Sequence, residues 1–392
     1  MRLKSLTLAL PLSLCLNLQA PLAEPSVEID DAATIVEGID GKVESELKQA
    51  SGLKSFSLRE CHDADLAKLC TLFPNMEKLQ ISDAEDITNL APLAGLKKLT
   101  WLELSDCAAI DLSPLAGLTG LTTLHAGAAI SDLAWMEKLV NLTTVTLNSE
   151  TLTSLKGLPH LPELHQIIIS GGAPADLSPI VQALPSLTML ALRDMTVPDL
   201  SPLAKLARLE NLDLYGSKVK DFSPLAACPN LVKLNYYGTE DADYATLGKL
   251  TQVRELAGGM SQLTDIAWIA NLPNLKSFAL FDENVKDLTP LSQTHLESLS
   301  LWKMSKEAPV DLSFVAKIKG LKEFEIDDME VAHFEALSAC TGLERIKITE
   351  AKGVGDLAAI KKLPKLKKIV VDEETPEATL KGFASGVEII KN

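Results

Sequence analysis

The sequence predicts an α/β solenoid of about 15 repeats, in which each repeat contributes one short parallel strand and one short 3-10 or helical turn. The apolar pattern L-x-x-L-x-L recurs about every 22 residues from residue 53 almost to the end. A fixed period between about 20 and 29 residues with this spacing is typical of such solenoids. The chain has 392 residues, 46% of them hydrophobic but only 4% aromatic, as expected of a long core built from leucine.

The repeats can be counted from their first apolar residues, which follow one another at intervals of 21 to 23 residues except before Leu321. These residues are Leu53, Met76, Leu99, Leu121, Leu142, Leu164, Leu187, Leu209, Leu231, Val253, Leu275, Leu296, Leu321, Leu343 and Leu366. A solenoid grows by adding turns around one continuous core, so we expect a single repeat domain over residues 53–375.

The first 23 residues have the features of a secretory signal peptide. Arg2 and Lys4 precede an apolar run that ends at Leu18, and small residues lead to Ala23, where we expect cleavage. The run is too short for a stable membrane span. Leu12 to Cys15 also resembles a lipoprotein box, which would place a lipid anchor on Cys15. The chain is therefore predicted to be secreted or periplasmic, with a membrane-anchored lipoprotein as the alternative.

Caps are predicted at both ends of the solenoid. Over residues 24–52, apolar residues such as Ile35, Val36 and Leu47 fall at helical spacing, which predicts an N-terminal helical cap. A C-terminal cap is expected over residues 376–392, with a helical turn from Pro376 and a closing strand around Ile389. Such caps cover the ends of the core.

The return from each strand carries a second recurring phrase, of the type Asp-Leu-Ser-Pro-Leu. It begins at Asp111, Asp176, Asp199, Asp221 and Asp287. A capping Asp, a proline in the first turn and an inward leucine predict a short 3-10 or helical turn.

The combined pattern resembles the 22-residue class of leucine-rich repeats found in bacterial internalin-like proteins and in the protein-phosphatase regulator family. This resemblance implies a horseshoe with a concave parallel sheet and short turns on the convex face. It also implies a non-enzymatic protein that binds another protein through the concave face. One departure is that the asparagine usual after the strand is replaced, for example by Cys61, Cys107, Ser217 and Thr239, so an asparagine ladder is absent or partial.

Alternation along each strand identifies the side chains that point away from the core. One outward row contains four aromatic residues within five consecutive repeats, namely Tyr215, Tyr237, Phe281 and Trp302. Because Tyr and Trp carry much of the energy of protein interfaces, we expect an exposed partner-binding patch here. Its other members are Met189, Arg193, Asn211, Asp213, Lys233 and Asn235. Cross-strand stacking that only shields the sheet is the alternative.

The last outward residues are charged and lie on neighbouring strands. Glu323, Glu325 and Asp327 precede Arg345 and Lys347 by one repeat. Opposite charges on adjacent strands pair readily, so we interpret this group as a structural ladder.

The sequence lacks the signatures of catalysis or cofactor binding. The six histidines form no H-E-x-x-H spacing, and no P-loop, dinucleotide fingerprint or G-x-S-x-G is present. We therefore expect no enzyme activity, no cofactor and no metal.

A net charge of −16 also argues against nucleic acid as a partner. Five cysteines outside the signal peptide show no pairing pattern, and only Cys61 with Cys70 is close enough in sequence to suggest a disulfide.

The sequence alone thus favours a secreted or periplasmic protein that binds a protein partner. A structural or adhesive component of the cell envelope remains the alternative. The identity of the partner is not encoded in any motif.

Overall fold

The structure is a computed structural model. It describes residues 34–37, 47, 52–59, 61–83, 85–105, 107, 111–197, 199–259, 262–282, 284–304 and 308–392. The predicted signal peptide, Cys15 and most of the predicted N-terminal cap lie outside these residues.

The chain divides into two compact units. Unit 1 runs to residue 129 and takes in 135–147, while unit 2 comprises 130–134 and 148–392. Nothing in the repeat pattern predicted this division.

Unit 1 contains a parallel sheet with about one strand in each repeat. Its strands are β1 (Thr34–Glu37), β2 (Ser55–Arg59), β3 (Lys78–Ser82), β4 (Trp101–Leu104), β5 (Thr123–Gly127) and β6 (Thr144–Asn148), of which the last residue belongs to unit 2. The register places inward leucines side by side, as Leu79, Leu102 and Leu124 show. All three are fully buried, so each strand adds one layer to the core.

Strand β1 corrects the prediction for the N-terminal segment. The helical spacing of Ile35 and Val36 predicted helix, but Thr34–Glu37 is a strand that pairs in parallel with β2. Leu47 is helical and buried. The helix prediction is therefore wrong at residues 34–37, and for the rest of 24–52 the cap stays a prediction.

Unit 2 contains a longer parallel sheet of the same kind. Its strands are β7 (Gln166–Ser170), β8 (Met189–Arg193), β9 (Thr196–Val197), β10 (Asn211–Asp213), β11 (Lys218–Val219), β12 (Lys233–Asn235), β13 (Glu255–Gly259), β14 (Ser277–Phe281), β15 (Ser298–Trp302), β16 (Val310–Asp311), β17 (Glu323–Ala332), β18 (Arg345–Lys352), β19 (Lys368–Val371) and β20 (Glu388–Lys391). The main sheet follows chain order from β7 to β20 without β9, β11 and β16. Strands β9 and β11 pair with each other, and β16 pairs with the end of β17.

Short helical turns return the chain from one strand to the next. The 3-10 turns are Ala91–Gly95, Ser113–Gly117, Ala134–Lys138, Ser201–Lys205, Ser223–Ala227, Tyr244–Lys249, Ala267–Asn271, Thr289–Gln293, Ser313–Lys317 and Phe334–Ala339. The α-helices are Asp63–Leu72, Ser178–Ala183, Ala358–Lys361 and Glu377–Leu380. The predicted fold of strands alternating with 3-10 or helical turns is confirmed.

The recurring aspartate begins these turns as predicted. In the turn Ser201–Lys205, for example, Asp199 Oδ1 accepts a hydrogen bond of 2.8 Å from the Ser201 N–H. The equivalent bonds at Asp111, Asp176, Asp221, Asp287 and Asp311 are 2.7 to 2.9 Å long. Each aspartate thus satisfies a backbone donor that the turn itself leaves free.

In many repeats a left-handed residue lies two positions after the third apolar residue, either after the strand or, at Asp328 and Glu350, within it. This residue is glycine in some repeats and a polar residue in others, and its φ lies between 45° and 75°. The eight residues are Asp83, Gly171, Asp194, Gly216, Gly238, Lys303, Asp328 and Glu350. Gly and Asp tolerate this conformation best, so the local sequence favours the bend at the six positions that hold one of them.

Small hydroxyl and thiol groups replace the missing asparagine ladder. The Ser217 hydroxyl donates to Leu192 O and accepts from Met195 N. Thr239 Oγ1 donates to Tyr236 O, and Cys107 Sγ to Ile87 O. These side chains satisfy buried backbone groups that would otherwise destabilise the turn.

The described cysteines are all buried. Cys61 Sγ donates to Arg59 O at 3.1 Å, and Cys61 and Cys70 are not bonded to each other. Burial raises the pKa of Cys70 to about 12 and that of Cys228 and Cys340 to about 11. These three thiols are therefore protonated and unreactive at neutral pH.

Within the described part of the chain, no helix is both long and apolar enough to cross a bilayer.

Candidate functional site

The candidate site lies on the open face of unit 2, meaning the side of the sheet β7–β20 opposite the leucine core. Side chains reach this face because they alternate along each strand. In strand β10, for example, Asn211 and Asp213 lie on the open face while Leu212 is fully buried in the core.

The first three members of the predicted aromatic row are in ring contact, but most of the row is buried. The Tyr215 and Tyr237 rings stack with centroids 5.3 Å apart, and Tyr237 meets Phe281 edge to face at 5.5 Å. Tyr237 and Phe281 are only 7% exposed and Trp302 only 3%. The expectation of an exposed aromatic patch is therefore wrong for these three residues, and Tyr237 is covered by the rings on either side of it. Tyr215 is partly exposed.

A cation lies above the buried end of this row. Lys303 Nζ is 5.5 Å from the centre of the Phe281 ring and 3.8 Å from Asp328 Oδ2. The ammonium group is thus held between an aromatic face and a carboxylate.

The centre of the site is a buried carboxylate with several partners. Asp213 is 2% exposed, and its Oδ2 accepts hydrogen bonds from Arg193 Nε at 2.7 Å and Nη2 at 2.5 Å. Its Oδ1 accepts from Asn235 Nδ2 at 2.9 Å and from the Tyr215 N–H at 3.0 Å. The amide of Asn235 in turn accepts from the Tyr237 N–H at 3.0 Å. We call Arg193, Asp213, Asn235 and Tyr215 the Asp213 network.

This network fixes one arginine in a defined orientation. The Arg193 side chain is 35% exposed, while its carboxylate partner is almost fully enclosed. Beside it, burial raises the pKa of Asp194, Asp213 raises it further, and Arg193 opposes both effects. The network therefore presents a guanidinium group, already oriented, next to Tyr215.

The other predicted residues separate into accessible and buried groups. Asn211 and Lys233 are partly exposed, and Lys233 Nζ lies 2.9 Å from Glu255 Oε2. Met189 is 7% exposed and packs in a buried cluster with Ile168 and Ala191. Of the ten predicted residues, those available for contact are Arg193, Asn211, Tyr215 and Lys233.

The charged residues at the end of unit 2 form cross-strand pairs, as the structural interpretation requires. Arg345 Nη2 lies 2.5 Å from Glu323 Oε1, and Lys347 Nζ lies 2.7 Å from Glu325 Oε1. Thr349 Oγ1 donates to Asp327. These residues are paired with one another across the strands.

Unit 1 holds an open-face group that the sequence analysis missed. The Trp101 ring lies 5.9 Å from the His125 ring, and His125 Nδ1 is 3.0 Å from Thr146 Oγ1. Burial lowers the pKa of His125, although Glu103 partly offsets this effect. His125 is thus partly buried and held between Trp101 and Thr146. Trp101 occupies the row before the second apolar residue, and reading that row through unit 1 would have found it.

No group of three or more His, Cys, Asp or Glu residues that could hold a metal ion occurs among the residues described.

A comparison with solved structures shows that the architecture is shared with a known protein. A leucine-rich-repeat protein of Leptospira interrogans, LIC12759, superposes with a TM-score of 0.51 at 17% identity and covers 86% of this chain and 93% of its own. An internalin of Listeria monocytogenes, inlF, gives 0.47 at 22% identity over 76% of this chain and 81% of its own. A second internalin from Listeria monocytogenes, inlC2, gives 0.31 at 25% identity over 63% and 77%. No family model and no curated protein matches the sequence.

Proposed function

We propose that this chain, which has the leucine-rich-repeat fold, is a secreted or periplasmic binding protein without enzyme activity. It recognises a protein partner with the open face of unit 2. The observation that carries this proposal is the Asp213 network, which orients Arg193 beside Tyr215 on the open face.

The physical argument concerns the cost of binding. Arginine and tyrosine dominate the energetics of protein interfaces. Ordering a flexible side chain on binding costs about 0.5–1.5 kcal/mol, and a side chain already held in place avoids much of that cost. Two bonds to Asp213 hold Arg193, and stacking on Tyr237 holds Tyr215.

The buried aromatic residues have a supporting role in this proposal. Tyr237 lies between Tyr215 and Phe281, so it fixes the position of the accessible tyrosine ring. The contact surface is then Arg193 and Tyr215 with Asn211 and Lys233 at its side.

The test is capture of a protein partner by the purified chain, followed by measurement of its affinity for the captured protein. The double variant R193A/Y215A should weaken the affinity at least about tenfold, as expected for two hot-spot residues. The control is R208A, because Arg208 is an exposed arginine on a returning turn, away from the open face. Equal affinity of R193A/Y215A and the unchanged chain would contradict the proposal.

A further inference from the structure

Unit 2 has a basic depression at the edge of the sheet where the strands begin. It is lined by the side chains of Lys276, Lys317, Lys319 and Lys322, with His295 and Glu297 between them. The four lysines are exposed. In a chain with net charge −16, four cations that converge on one depression need an explanation.

The depression arises from a turn that is one residue shorter than its neighbours. Leu291 and Leu296 are five residues apart, whereas the equivalent pair Leu203 and Leu209 is six apart. Thr294 stands where a leucine usually packs, and its Oγ1 donates to Leu291 O at 2.6 Å. The shortened return leaves room beside the next turn, Ser313–Lys317, which ends at Lys317 and is followed by Lys319.

The single carboxylate in the depression is already engaged. Glu297 Oε1 lies 3.2 Å from Lys276 Nζ, and Glu297 Oε2 lies 2.5 Å from Lys322 Nζ. Lys276, Glu297 and Lys322 each precede a strand, and these three strands are neighbours in the sheet. The Glu297 N–H donates to Lys276 O, and the Lys322 N–H donates to Glu297 O.

The remaining two lysines have no acidic neighbour in the depression. Among the residues that the structure describes, Lys317 and Lys319 form no ion pair. The depression therefore has an excess of positive charge that the protein itself does not neutralise.

We propose that this depression binds a phosphate or sulfate group. Lys317 and Lys319 supply the free ammonium groups, and Lys276 and Lys322 contribute further positive potential. The site lies apart from the Asp213 network and goes beyond the proposed function, since it would hold an anion whether or not the open face binds a protein.

The experiment measures binding of inorganic phosphate, heparin and vesicles containing an anionic phospholipid to the full chain at low ionic strength. The double variant K317A/K319A should weaken binding of the preferred probe about tenfold, and added salt should weaken it further. The matched control is K205A/K249A, because Lys205 and Lys249 end their turns as Lys317 does but lie outside the depression. This control should bind normally.

A gain of affinity provides the complementary test. Glu297 competes with the anion for Lys276 and Lys322, so E297Q should tighten binding about three- to tenfold. A structural role of the lysines alone would not produce this gain. Circular dichroism should show that all variants stay folded, because the altered side chains lie on the surface.

The outcomes separate the sources of the anion. Binding of phosphate alone supports a small-ion site, a preference for heparin supports a sulfated polysaccharide, and a preference for vesicles supports a lipid headgroup. Absence of binding to all three probes would overturn the proposal. So would binding that K317A/K319A and K205A/K249A weaken equally.

Discussion

Gly258 shows how a single residue permits the aromatic core of unit 2. Tyr236 occupies an inward position that other repeats give to leucine, and its ring is fully buried against Phe222, Tyr244 and Trp268. A Cβ on Gly258 would lie 2.1 Å from Cζ of Tyr236. The small residue is thus required by the neighbouring ring rather than by backbone conformation.

We predict that Gly258→Ala lowers the free energy of unfolding by about 1–3 kcal/mol, the usual cost of overpacking a core. Urea unfolding followed by circular dichroism measures this loss. The double variant G258A/Y236L should recover part of it, because leucine removes the ring that the new methyl group would meet. If the second substitution adds to the loss instead, the steric explanation is wrong.

At the scale of single residues, the sequence predicted which face of the sheet a side chain lies on better than how exposed that side chain is. Alternation correctly assigned Asp213 and Asn235 to the open face. It could not predict that Asp213 would be enclosed, because that depends on Arg193 and Asn235 from the neighbouring strands. The same limit explains the aromatic row: Tyr237 is covered by Tyr215 and Phe281, and each of these belongs to another repeat.

Strands β17 and β18 show how neighbouring repeats are joined by charge. The Glu325 and Lys347 side chains are 20% and 25% exposed, so their ion pair is partly shielded from solvent. The Lys54–Glu77 pair has the same cross-strand arrangement but is 62% and 42% exposed. Shielding rather than distance should therefore decide which pair stabilises the fold.

A double-mutant cycle with E325A and K347A should give a coupling energy of about 0.5–1 kcal/mol, and the cycle with K54A and E77A less than about 0.5 kcal/mol. Both energies come from urea unfolding midpoints of the single and double variants. A larger coupling for the exposed pair would show that shielding does not control these ladders.

At the scale of elements, the sequence identified most of the architecture. The period located the strands, and the Asp-Leu-Ser-Pro-Leu phrase located the turns and their capping residue. The helix Asp63–Leu72 and the strand Thr34–Glu37 were not predicted, because both lie at the start of the repeats, where the pattern is incomplete. Helical spacing over four residues cannot be distinguished from a strand that pairs with its neighbour.

The repeated aspartate caps give the whole molecule a common response to acid. Hydrogen bonds from the following Ser or Thr lower the pKa of Asp111, Asp176, Asp221 and Asp287 below the ordinary value of 3.8. A lowered folded pKa means that the charged form stabilises the fold. This stabilisation is present above the ordinary pKa and is lost as the pH falls through the lowered values.

We predict that the urea midpoint falls as the pH drops below about 4 and keeps falling through the lowered pKa values of the caps, since several caps lose their charge over the same range. The triple variant D111N/D176N/D287N should show a shallower fall. Asparagine still accepts the capping bond but does not titrate in this range. An identical pH profile for the variant would assign the acid response to other carboxylates.

The left-handed residue two positions after the third apolar residue has a practical consequence for recombining repeats. Two repeats that have the same left-handed conformation at this position can be spliced together there. The chain after the junction then continues in its original direction. Gly216 and Gly238 mark two such positions 22 residues apart, and Asp194 marks a third. A segment cut at one of these residues and spliced in at another would keep both the inward leucines and the capping aspartate in phase. The chain is thus divided into interchangeable modules, and their natural junction is the bend rather than the strand or the turn.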